Sequence, residues 1–245
     1  MAYRLDEDLE FLQYCSDSSL EGLVDILTKS PNGKKRLTES LTKSEGYQEH
    51  FPKHSLYWEE IASELQLYGG HTIVNTIRGK GVLYKEILMD VCDKLKVPYN
   101  KKSETHLIEE NLLMKILRDS LDNMSEEDLK ILAQEMDLKT TNFSKQAIFT
   151  SAQTIFRLGG FKSYQYTVMI ANQVLKALIG RGLSFAGNAT LTRVSSVIMG
   201  PIGMVVTALW TVSDIAGPAY RVTSPAVFMI AALRKQQMYE DTINE

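Results

Sequence analysis

The chain has 245 residues, 27 Lys and Arg against 30 Asp and Glu, 44% hydrophobic residues, six prolines and two cysteines. This builds one large domain or two small ones, and it excludes disorder over most of the length as well as a disulfide scaffold. The acidic start, Met1 to Asp8, lacks the basic residues and apolar run of a secretory signal, so a reducing cytoplasm is the expected location.

Helical punctuation dominates in chain order. Asp6-Glu7-Asp8 places acids ahead of Leu9 and Leu12, suiting the positive end of a short helix. Ser18 to Glu21 has capping-box spacing, and Leu20, Leu23, Val24 and Leu27 follow at helical intervals. Ser30-Pro31-Asn32-Gly33 is a turn, with another short helix expected from Lys34 to Thr42. Trp58, Ile61, Ala62, Leu65 and Tyr68 mark one helical face, which Gly69-Gly70 is expected to end. A short segment from Ile73 to Arg78 closes on Gly79-Lys80-Gly81, and a longer helix from Leu83 to Leu95 stops before Pro98.

Ser103 is positioned to cap a helix carrying Leu107 to Leu121, and Ser125 starts another with Leu129, Leu132 and Met136 on its face. Phe161, Tyr164, Val168, Ala171, Leu175 and Leu178 form a further face, ending at Gly180-Arg181-Gly182. Nothing alternates as a strand does. The expected fold class is therefore all-α, a multi-helix globular bundle. A small N-terminal helical module would occupy 1–45 and a main helical domain 53–245, with an apolar C-terminal helical hairpin at 183–216.

Charge is unevenly placed. From Phe143 to Leu233 seven basic residues face one acidic residue (+6), while the rest holds 20 basic and 29 acidic (−9). The basic stretch is also the apolar one, so it suits a membrane, an acidic partner or the acidic half of its own chain. Val194 to Ser213 contains no charge at all. Its eight Val, Ile and Leu residues contribute roughly −2.4 to −4.8 kcal/mol toward insertion. Eight polar or weakly helix-forming residues oppose them, so insertion is marginal. Two short helices joined at Gly200-Pro201 read as a hairpin buried in the core, with reversible membrane association as the alternative. Gly203, Thr207 and Thr211 recur every four residues and would let another helix approach closely.

Motifs that carry chemistry are missing. Arg78-Gly79-Lys80-Gly81 lacks the spacing of a phosphate loop and reads as a turn. His50 and His54 have ligand spacing, but Pro52 between them breaks a helix and no acid or cysteine matches, so no metal or cofactor is expected. Cys15 and Cys92 sit on apolar patterns as small core residues. Glu60 and Glu64 share a face and read as solvated. Scattered basic residues and a pI near 5.9 argue against nucleic acid. Tyr164 and Tyr166 beside Lys162 fit a core helix better than a base-stacking platform.

Three blocks in order carry a resemblance. Asp6 to Leu12 with Cys15-Ser16 is the first. The second is Ile61 to Gln66, with Gly69-Gly70 and Leu83 to Leu88, and the third is Ala219 to Thr223 with Pro225-Ala226-Val227. On them the chain resembles the bacterial YaaW family along nearly its whole length, a family that brings no catalytic residues to carry over. More loosely, its middle region resembles the ubiquinol–cytochrome c chaperone domain, an α-helical assembly-factor fold.

The resulting expectation is a non-enzymatic helical protein that binds another polypeptide, as an assembly factor, chaperone or inhibitor does. The alternatives are an amphitropic protein whose hairpin enters an anionic membrane surface, and an enzyme with a dispersed site. The residues singled out for binding are Glu64, Gln66, Arg78, Tyr84, Tyr220 and Arg221. Glu64 is a candidate to pair with Arg78, and Arg221, a charge in an apolar region, with Asp214.

Overall fold

The computed structural model describes residues 3–72, 81–183, 192–212 and 219–244. Among the described residues there are ten α-helices and no strand, only an isolated antiparallel bridge between Lys29 and Lys35. The helices are α1 (Asp17–Thr28), α2 (Glu45–His50), α3 (Trp58–Thr72), α4 (Tyr84–Lys94) and α5 (Thr105–Asp122). They continue with α6 (Glu126–Glu135), α7 (Lys145–Leu158), α8 (Gly160–Ile179), α9 (Thr192–Val212) and α10 (Tyr220–Asn244). The all-α expectation is met.

The organising element is α10. Every residue from Ala226 to Leu233 is buried, so this stretch of the helix is enclosed on all sides. It packs most extensively on α8 and also meets α1, α3, α4 and α5. The sequence reading does not mark it as a helix, because a segment apolar all round has no amphipathic period. α7 is also unmarked, although Ile148, Phe149, Ala152 and Phe156 do line one buried face. Pro225 lies inside α10 and supplies no N–H for the carbonyl of Arg221. Arg36 Nη2 reaches that carbonyl from outside the helix at 3.5 Å, while its Nε donates to Ile26 O at 3.0 Å.

Several expected boundaries move. α1 is capped by Ser16, whose side chain accepts from Ser19 N, not by Ser18. Lys34 to Thr42 forms no helix; a 3-10 turn at Leu41–Lys43 is its only helical part, because Glu39 caps the Thr42 amide and hydroxyl there. Glu104 rather than Ser103 precedes α5.

α3 does not end at Gly69-Gly70 but passes through to Thr72. A Cβ on Gly69 would sit 2.5 Å from Ile87 Cγ1, so this glycine serves close packing of α3 on α4 rather than termination. α9 likewise runs unbroken through Gly200-Pro201, where the sequence suggests a joint. Gly200 has no Cβ to collide with the proline ring, which relieves part of the usual clash. The remaining stretch of the expected hairpin, 184–191 and 213–216, lies outside the described residues, as do Ile73 to Arg78 and Gly217-Pro218.

The basic, apolar third meets the acidic remainder directly. Arg181 pairs with Asp25 at 2.8 Å, and Lys162 with Asp137 at 2.5 Å.

Candidate functional site

Four of the six singled-out residues, Glu64, Gln66, Tyr84 and Tyr220, lie inside the fold. Gln66, on α3, accepts from Arg4 N at 3.1 Å and donates to Arg4 O at 2.8 Å. It also donates to Asp6 Oδ2, which accepts the backbone N–H of Tyr84 at 2.7 Å. Burial raises the Asp6 carboxyl above its ordinary range, against the lowering effect of these donors. The chain start is thus bonded to the α3 side chains and to the first residue of α4.

Tyr84 is fully buried, and its hydroxyl donates to Glu109 Oε1 at 2.6 Å. Glu109 in turn accepts from Arg234 on α10, whose Nη2 donates to Asp8 O at 2.7 Å. The guanidinium lies over the rings of Phe11, 4.5 Å from its centroid, and Tyr84. Burial disfavours the Arg234 charge, but Glu109, Tyr84 and Asp8 together outweigh it and hold the pKa above normal. Tyr84 is pushed far above the ordinary phenol range, first by burial and then by Glu109. This network ties the N-terminal turn, α4, α5 and α10 together. Its key members, Glu109 and Arg234, were missed because no local motif announces a pair separated by 125 residues.

Glu60 and Glu64 are not a solvated face. Glu64 is 2% exposed and accepts from Ser40 N at 3.0 Å and Ser40 Oγ at 2.5 Å. Glu60 accepts from Gly46 N and Tyr47 N, both at 3.1 Å, and from the Ser44 hydroxyl. Glu64 clamps the loop at Ser40 and Glu60 the first turn of α2 onto α3, serving amides that have no helical partner. Arg78 lies outside the described residues, and with it the expected pair to Glu64.

Tyr220 opens α10 and is buried, with Lys94 Nζ 5.4 Å from its ring centroid. Its hydroxyl is raised above the normal range, chiefly by burial and then by a bond to Asp90. Arg221 beside it is exposed, so it is not a charge stranded in apolar surroundings. Asp214, its expected partner, lies outside the described residues. Cys15 and Cys92 are buried, and burial pushes each thiol up to about 12. His50 ends α2 while His54 opens a 3-10 turn beyond Pro52, as the proline implied. Among the described residues no three His, Cys, Asp or Glu side chains form a metal-holding group. Tyr166 is buried and donates to Met136 O, and Tyr164 stacks on Tyr239 with centroids 5.5 Å apart.

Two open surfaces stand out among the described residues. One is the outer face of α9. Ile198, Ile202, Val205 and Val206 point inward, and the helix packs on α8, α5 and α6. Outward stand Met199 and Met204, 50% and 53% exposed, with Gly200, Thr207 and Ala208. A Cβ at Gly200 or Gly203 would meet open space. Surface helices normally turn charged residues to water, and between Ile198 and Trp210 this one has none. Among the described residues no helix is long and apolar enough to cross a membrane. The other surface is a cleft between α1 and the Tyr47–His54 segment.

Residues 53–228 match the family model described as Ubiquinol-cytochrome C chaperone, and residues 3–37 match one described as Domain of unknown function (DUF3944). The class is therefore an all-α protein carrying a chaperone-family domain. A UPF0174 protein of Helicobacter pylori strain J99 is 51% identical over 244 residues, covering 98% of this chain and 96% of the relative. A second from the same strain is 41% identical over 205 residues, covering 82% of this chain and 98% of the relative. The UPF0174 protein YaaW of Escherichia coli K12 is 33% identical over 238 residues, covering 95% of each chain. The chain belongs to the UPF0174 (YaaW) family. No solved structure matches it.

Proposed function

We propose that this chain is a non-enzymatic helical protein that holds another polypeptide, in the manner of a chaperone or assembly factor, and that the outer face of α9 is the contact surface. One observation carries the reading: from Ile198 to Trp210 the exposed side of α9 carries no charged residue, with flexible Met199 and Met204 flanking the small residues Gly200 and Gly203. Methionine adapts to varied apolar shapes, and glycine lets a partner backbone come close. The match of 53–228 to a chaperone family model supports the same class of role. Buried Glu64, Gln66 and Tyr84 would act on a partner only by holding the scaffold, whereas exposed Arg221 is open to direct contact.

The uncharged α9 face also supports a second reading, a lipid surface. A photo-crosslinking residue at Met204, with the same group at exposed Lys130 as control, separates the two when combined with vesicle flotation. A discrete polypeptide adduct at 204, lost in Gly203→Glu, with no flotation on neutral or anionic vesicles, is the expected result. Flotation that Gly203→Glu abolishes, without an adduct, would replace the polypeptide by the membrane. Neither adduct nor flotation would overturn both.

A further inference from the structure

The cleft between α1 and the Tyr47–His54 segment has a volume of about 450 Å³. One wall is α1, where Asp17, Glu21 and Asp25 stand four residues apart on one face, each about 6 Å along the axis from the last. The other wall is aromatic. Tyr47 and Phe51 stack with centroids 5.0 Å apart, and Phe51 meets His54 edge-on at 5.8 Å. Asp17 Oδ1 accepts from Ser55 N and Oγ, both at 2.8 Å, which fixes one wall to the other.

The charge in this cleft is only partly balanced. Asp25 is paired, with Lys29 at 2.6 Å and Arg181 at 2.8 Å. Among the described residues Asp17 accepts hydrogen bonds only from neutral Ser55 groups; the Ser55 amide, with Lys53 nearby, holds its carboxyl below the usual range, so it remains an anion. Glu21 is exposed and makes no ion pair among the described residues. His54, 3% exposed, commits Nδ1 to the Tyr57 hydroxyl, and Nε2 has no hydrogen-bond partner among the described residues. Burial keeps this ring from competing as a cation. No metal-holding group is present among the described residues, because the acids are strung along a helix instead of converging on a point.

We propose that this cleft binds ammonium or guanidinium groups, with Asp17 and Glu21 holding the charge, Tyr47 and Phe51 covering the apolar stem, and His54 Nε2 available as a further hydrogen-bonding atom. Aromatic faces attract organic cations, and carboxylates laid out in a row suit an extended cation better than a metal ion. Two sources share this chemistry, basic side chains of a polypeptide and a free polyamine. In an extended peptide, alternate side chains stand about 6.6 Å apart, close to the spacing of the acids on α1. The site does not depend on the α9 reading.

The test titrates the full-length chain with spermidine and, separately, with a capped Arg-Gly-Arg-Gly peptide, following backbone amide shifts by NMR and affinity by calorimetry. Saturable shifts centred on 17–25 and 47–54 are expected. Glu21→Gln and Phe51→Ala, both at exposed positions, each weaken binding about three- to fivefold, with the melting temperature unchanged. Glu126→Gln on α6 should leave binding intact. Tighter peptide binding identifies a polypeptide source, and tighter spermidine binding a polyamine; both support the site. Absence of saturable binding by either probe overturns the proposal. So do shifts spread equally over the Glu126–Asp128 acids, or affinity that ignores Phe51→Ala.

Discussion

Arg234 Nε donates to both carboxylate oxygens of Glu109, at 3.2 and 3.0 Å, and so joins the last helix to the second turn of α5. Their side chains are 12% and 3% exposed, so both charges are largely withdrawn from water. Such a pair offsets its own desolvation only while both members remain.

Removing one member should therefore cost far more than removing both. Glu109→Leu or Arg234→Met alone is expected to lose about 3–5 kcal/mol of stability. The double substitution, made with Tyr84→Phe so that its hydroxyl is not orphaned, should cost less than either single one. Urea denaturation of the series checks this, and strictly additive losses would contradict a coupled buried network.

Gly69 sets two effects against each other. Alanine in a helix interior gains about 1 kcal/mol of intrinsic propensity over glycine. Here the new methyl would press on Ile87 Cγ1 and Cδ1 at 2.5 and 2.6 Å, and Ile87 is buried and cannot swing away. Overpacking of that kind costs about 1–3 kcal/mol. Gly69→Ala is expected to destabilise on balance, and Ile87→Val in the same chain to recover part of the loss. A Gly69→Ala protein with a higher melting temperature would show that α3 and α4 are not packed this closely.

His54 makes stability depend on pH with a definite sign. Its folded pKa lies below the ordinary 6.5 because burial disfavours the imidazolium, with Asp17, Glu21 and Asp25 offsetting only part of this. As pH falls, the unfolded chain takes up the proton first, so this contribution is complete above about 6.5 and is lost as pH drops through the folded value. Asp6, whose pKa is raised by burial, acts in the opposite sense: its contribution is present below its unfolded value and lost as pH rises through the folded one. The comparison that isolates His54 is the change in urea midpoint between pH 7 and 5, in the parent chain and in His54→Gln. A smaller fall in the variant is expected; parallel falls would remove His54 from the account.

Legibility in the sequence followed periodicity. α4, α6 and α8 lie where one apolar face recurs every three to four residues, and the Ser125 start of α6 even closes a full capping box with Asp128. α10 escaped because burial on every side erases that period. Gly69-Gly70 and Gly200-Pro201 misled, since a glycine ends a helix in one context and admits a neighbour in another, and the residues flanking it do not say which. Glu60 and Glu64 read as solvated for a similar reason: the amides they serve lie 13 to 24 positions upstream, at Ser40 and in the first turn of α2.

What the amino-acid sequence determined by itself was the all-α class, most of the helices, the burial of both cysteines and the uncharged run from Val194 to Ser213. Each is a property of neighbours within a few turns, where local spacing and polarity act directly. Only the tertiary structure decided that Glu109 meets Arg234, that Gln66 holds the chain start, that α9 leaves one apolar side open, and that aromatic rings face a row of acids across the Asp17–His54 cleft. Those relationships depend on which surfaces come together when apolar area is buried, and contacts between residues tens to hundreds of positions apart leave no periodic trace in the chain.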